Sequence, residues 1–103
     1  MTVRMKRGVV LFGSSPQLFE IIDAARVVYA MVGKEVVITS GIDGTHSIRS
    51  LHYRGLALDL RTRHLSDDER LEVEEGLRAK LGADFDVVFE FDHFHVEYDP
   101  KPR

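Results

Sequence analysis

A small α+β domain, with a mainly antiparallel sheet and two helices, is the fold class this sequence predicts. Two stretches repeat apolar residues at helical spacing, and four short stretches are β-branched or alternate apolar with polar residues. Their order is helix, strand, loop, strand, helix, strand, strand, which suits a sheet built mostly from antiparallel neighbours. At 103 residues, one core and therefore one domain over 1–103 is expected. With 44% hydrophobic and 30% charged residues, the composition is that of a folded globular chain, not a disordered one.

The first helix is predicted to begin at Ser14, Ser15 and Pro16. Ser14 is the expected N-cap, Gln17 follows three residues on, and proline sits where a missing N–H costs nothing. Leu18, Ile21, Ile22, Ala25, Val28, Tyr29 and Val32 then recur at helical spacing, and Gly33 supplies a stop. Residues 35–39 are β-branched and read as a strand. Residues 40–54 carry glycines, serines and two histidines without periodicity, and read as a loop. Residues 56–61 alternate, so that Ala57, Asp59 and Arg61 share one face and Leu56, Leu58 and Leu60 the other. Ser66, followed by Asp67, Asp68 and Glu69, caps a second helix on Leu71, Leu77 and Leu81 that ends at Gly82. Residues 85–91 and 93–98 are two further strands, and His93, His95 and Glu97 share a face of the second.

A net charge of −3 gives no general electrostatic reason to bind nucleic acid or an anionic membrane. No stretch is long and apolar enough to span a bilayer. The apolar run at 9–12 is much shorter than a signal peptide's core, so the chain is expected to be cytoplasmic as synthesised, and a monomer is the simplest state. The absence of cysteine removes disulfides and thiolate ligands together. Any metal site must then be built from imidazole and carboxylate.

Five histidines, His46, His52, His64, His93 and His95, are many for this length, and four of them flank just two segments. Hydrolytic zinc usually takes three protein ligands and keeps a fourth position for water. His52 closes the loop and Asp59 lies within the following strand. Gly55 lets the backbone turn between them, and Ala57 leaves room on the ligand face. His95, on an alternating strand, is the best third candidate. Alone, each is weaker: a strand histidine is more often structural, and Asp59 could pair with Arg61 or Arg54.

Together these residues form the pattern S-x-H-x-x-G-x-A-x-D from Ser50 to Asp59, followed by a late H-x-H at His93 and His95. That pattern resembles the D-alanyl-D-alanine carboxypeptidase family of zinc metallopeptidases, which shares its fold with hedgehog signalling domains. The resemblance spans roughly residues 37–98 and implies a hedgehog/DD-peptidase-like fold. It further implies one Zn²⁺ held by His52, Asp59 and His95, and peptidoglycan stem peptides or muropeptides as substrate. The family places an acid three residues before its last ligand as general base. Asp92 stands there, with Glu90 the alternative, and a turn aspartate between strands is the plain reading of Asp92.

By the same resemblance, His93 and His46 are expected to steady the oxyanion or orient the attacking water. His64 lies outside the motif, beside Arg61 and Arg63, and is expected at the surface. One departure concerns the substrate. The family resembles S-G-x-R where this chain reads Ser40-Gly41-Ile42-Asp43, so Arg49, Arg54 and Ser50 become the expected substrate-binding groups. An endopeptidase cut becomes comparable in standing to removal of a C-terminal D-alanine. A phage-type lysis enzyme or a cytoplasmic peptidase of recycled fragments fits the lack of a signal peptide. A different class, a non-catalytic zinc-stabilised binding module, is the alternative, and a plain α+β domain without metal is the third reading.

Overall fold

A computed structural model describes residues 3–9, 11, 15–41 and 56–100. Its elements are β1 (Val3–Met5), α1 (Pro16–Met31), β2 (Val36–Ser40), β3 (Ala57–Arg61), α2 (Asp67–Leu81), β4 (Phe85–Glu90) and β5 (His93–Tyr98). The five strands form one sheet in the order β1-β2-β3-β5-β4. β1 runs parallel to β2, and the other three pairings are antiparallel. The chain is thus an α+β domain with a mainly antiparallel sheet. β1 is an element that the sequence reading did not contain. Its three residues, Val-Arg-Met, are too few to show a period, and only pairing with β2 makes them a strand.

Both helices pack on one face of the sheet. Alternation delivers Leu58 and Leu60 from β3 and Phe94 and Val96 from β5 to that side, where all four are fully buried. They meet Leu18, Ile21, Val28 and Tyr29 of α1, and Val73 and Leu77 of α2. The opposite face carries Asp59, His93, His95 and Glu97, and it positions the candidate site.

α1 starts one residue later than expected. Its N-cap is Ser15, whose side chain makes no capping bond, and Pro16 occupies the first turn. At its end Gly33 adopts φ +72, the left-handed conformation that lets the chain leave the helix. Ser66 caps α2 as predicted and forms a full capping box. The Glu69 amide donates to Ser66 Oγ at 3.1 Å, and the Ser66 amide donates to Glu69 Oε1 at 2.8 Å. Leu71, however, faces solvent, and Val73 takes the core position instead. Two residues of helix are a rotation of about 200°, so only one of this pair can face the sheet. β4 ends at Glu90 rather than at residue 91. Phe91 and Asp92 form the hairpin turn, and Phe91 takes φ +52, the sign that tight two-residue hairpins require.

Candidate metal centre

β3 and β5 are neighbours, and their register sets Asp59 directly opposite His95, with Arg61 opposite His93 and Ala57 opposite Glu97. Directly opposed residues have Cβ atoms about 5 Å apart, within reach of side-chain contact. His95 Nδ1 lies 3.1 Å from Asp59 Oδ1, and His95 Nε2 lies 2.9 Å from Glu97 Oε1. His93 stands one row further along β5. Its Nε2 is 3.8 Å from Asp59 Oδ2, and its Nδ1 is 3.0 Å from Asp92 Oδ1. Asp59 is therefore approached by both late histidines. Its side chain is 15% exposed and that of His95 is 21% exposed, so the pair is shielded from bulk water without being sealed from it.

These contacts shift two protonation equilibria. The hydrogen bond to Asp59 raises His95 above an ordinary imidazole despite burial, and the charges of Asp59 and Glu97 add to the effect. The hydrogen bond from His93, aided by the charge on that ring, holds Asp92 below the usual carboxylate range.

A cavity of about 240 Å³ opens beside Asp59, lined also by Asp92, Arg61, Arg63 and Lys6. Glu90 is not among its lining residues. It ends β4 on the edge of the sheet, opposite His93 and exposed. Of the two acids considered as base, Asp92 is thus the one that shares a cavity with Asp59. Its main-chain carbonyl also accepts from the Thr62 amide at 3.0 Å, which fastens the hairpin tip to the end of β3.

His46, Arg49, Ser50, His52 and Arg54 lie outside the described residues, as does the Ile42-Asp43 departure. Of the expected ligands, Asp59 and His95 are brought together. Their separation can be compared with what zinc requires. Two ligand atoms bonded tetrahedrally at about 2.0–2.1 Å lie about 3.3 Å apart. The observed 3.1 Å is close to that spacing, so the pair fits two corners of a zinc site.

Among the described residues, the trio that meets at metal-holding distance is a different one. The carboxylates of Asp86, Glu97 and Asp99 offer oxygens all within 4.8 Å of one another, a group that could hold a metal ion. The sequence reading missed it, because Asp86 meets Glu97 only through the β4–β5 register. Exposed acidic clusters are common without an ion, and the trio contains no imidazole.

His64 departs from expectation. It stacks on Tyr29 with ring centroids 5.9 Å apart and donates from Nε2 to the Glu35 carbonyl at 2.8 Å. Its Nδ1 is buried without a hydrogen-bond partner. The ring ties the turn after β3 to the segment before β2, a structural role that a sequence neighbourhood of arginines does not reveal.

No protein-family model matches the chain. No curated protein matches it either. No helix among the described residues is long and apolar enough to cross a membrane.

Proposed function

We propose that the chain is a zinc-dependent peptidase that hydrolyses an amide bond in peptidoglycan stem peptides, as a DD-carboxypeptidase or an endopeptidase. The observation that carries this reading is the Asp59–His95 pair, set opposite one another on the open face at a spacing that suits two zinc ligands. His52 is the third ligand in this reading, from its place in the motif that resembles the carboxypeptidase family. Bound zinc would supply a Lewis acid for the scissile carbonyl and lower the pKa of a coordinated water. Asp92, which lines a cavity together with Asp59, is the group that would take a proton from the attacking water and return it to the leaving amine. His93, which holds Asp92 by its Nδ1, or else His46, is the group that would steady the oxyanion. Arg49, Arg54 and Ser50 hold the substrate. The enzyme acts on the cell wall after phage-type lysis, or in the cytoplasm on recycled fragments.

The test has two parts. Metal analysis of purified protein is expected to find one zinc per chain, lost in Asp59→Ala and His95→Ala. Incubation of the zinc-loaded chain with muropeptides is expected to release one alanine or to split the stem, as read by mass. Absence of zinc, or full activity in both variants, overturns the reading.

One observation favours the second reading, a zinc-stabilised binding module without catalysis. Asp92 is already engaged by His93 and held below the usual carboxylate range, whereas a general base works best with a pKa near the operating pH. If Asp92→Ala combined with Glu90→Ala leaves biological activity intact while zinc removal unfolds the chain, the module reading prevails.

A further inference from the structure

Among the described residues His95 meets the carboxylates of Asp59 and Glu97, through different ring nitrogens. Nδ1 faces Asp59, its cross-strand partner, and Nε2 faces Glu97, two residues on along the same face of β5. We propose that Glu97 is a positioning residue for the metal centre, fixing the His95 ring with its proton on Nε2 so that Nδ1 is the atom presented to zinc beside Asp59. The inference rests on the zinc reading above and names a residue that the motif does not contain.

Asp86 lies directly opposite Glu97 across β4 and β5, and the two carboxylates stay within 4.8 Å of one another. Glu97 Oε1 nevertheless reaches the imidazole at position i−2 of its own strand, at 2.9 Å. Its side chain is 22% exposed, comparable with the 21% of His95, so the bond is formed in a partly desolvated setting where it holds the ring firmly. A histidine bound to metal through one nitrogen characteristically donates its other N–H to a carboxylate, which fixes tautomer and ring plane and makes the ligand more basic. Zinc held by Nδ1 would take the place of the proton between His95 and Asp59, leaving the Nε2 proton with Glu97. Glu97 also belongs to the acidic trio with Asp86 and Asp99, so the same carboxylate is claimed by two possible arrangements. A test must separate them.

The experiment measures zinc affinity of the purified full chain by competition with a chromogenic chelator, with no substrate present. Glu97→Ala is expected to weaken zinc binding by roughly 10- to 100-fold, the usual effect of losing such a partner. Glu97→Gln, whose amide oxygen still accepts from Nε2–H, is expected to recover at least half of that loss on a logarithmic scale. Asp86→Asn and Asp99→Asn are expected to bind like the parent. A long-range ¹H–¹⁵N spectrum of the zinc-loaded parent is expected to find the His95 proton on Nε2, a readout that does not depend on any variant folding. If Glu97→Ala binds as the parent does while Asp59→Ala has lost the metal, the role of Glu97 is overturned and the zinc reading stands. A spectrum with the proton on Nδ1 overturns it equally. If Asp86→Asn and Asp99→Asn weaken binding as much as Glu97→Ala while Asp59→Ala does not, the ion sits in the acidic trio and the inference fails. If the parent takes up no zinc, the zinc reading itself has failed.

Discussion

Asp59 and His95 are 36 residues apart in the chain and 3.1 Å apart between side-chain atoms. In the zinc-free protein this pair has a pH signature. Because His95 is raised in the folded state, its contribution to stability is fully present below the ordinary imidazole value of about 6.5 and is lost as pH rises through the higher folded value. Asp92 is shifted the other way, so its contribution is lost only as pH falls through a value below the usual carboxylate range, well clear of that window. Urea midpoints of the zinc-free chain are therefore expected to decline as pH rises above about 6.5. Asp59→Asn is expected to flatten that dependence. Tyr29 supplies a second prediction at this scale. Its hydroxyl, fully buried and pushed well above an ordinary phenol by desolvation, donates to the Arg61 carbonyl at 2.8 Å. Tyr29→Phe is expected to lower stability by about 1 kcal/mol, measured by urea unfolding, since it leaves a β3 carbonyl without that donor. The residue types of the site were legible before the fold, because the alternation along 56–61 and 93–98 already aimed Asp59, His93 and His95 away from the apolar side. Glu97 was not legible as a partner of His95. It shares that face by period, but period alone does not say which neighbour a ring nitrogen meets at 2.9 Å.

Helix packing explains one substitution that propensity alone gets wrong. Gly76 lies within α2 where α1 crosses closely, and a Cβ there would come 2.7 Å from Cγ1 of the buried Val28. Alanine in a helix interior gains up to about 1 kcal/mol over glycine. Overpacking a stiff β-branched neighbour costs about 1–3 kcal/mol. Gly76→Ala is thus expected to destabilise the protein by about 1 kcal/mol in urea unfolding, and Val28→Ala in the same chain is expected to remove the added clash. At the other end of α2, Ser66→Ala is expected to cost about 1 kcal/mol, because it abolishes the acceptor for the Glu69 amide. Both helices were readable as elements from apolar spacing and capping residues. The position of Leu71 was not, because in a helix with many charges three leucines at 71, 77 and 81 suggest a face that Val73 in fact completes. β1 was unreadable for the reason that a three-residue strand has no period and exists through its neighbour.

For the whole molecule, zinc is expected to act as a stabilising ligand. At a free concentration a hundred times its Kd, a ligand bound only by the folded state contributes about 2.7 kcal/mol. For a domain of this size that corresponds to a rise in Tm of roughly 10–20 °C, read by calorimetry with and without chelator. A melting point indifferent to chelator would favour the plain α+β reading. The fold class was legible as a whole because the order of elements survives errors at their ends; the parallel β1–β2 contact was not, since it follows from where α1 returns the chain. One consequence of the strand order concerns synthesis. β5 lies inside the sheet between β3 and β4, although it follows both in the chain. On the ribosome, Asp59 emerges 36 residues ahead of His95, a delay of roughly 2–7 s at ~5–20 residues per second. Until then the nascent chain carries Asp59 on a strand whose outer edge is unpaired. The β4–β5 hairpin adds to that edge, so the pairing that completes the sheet also brings Asp59 against His95.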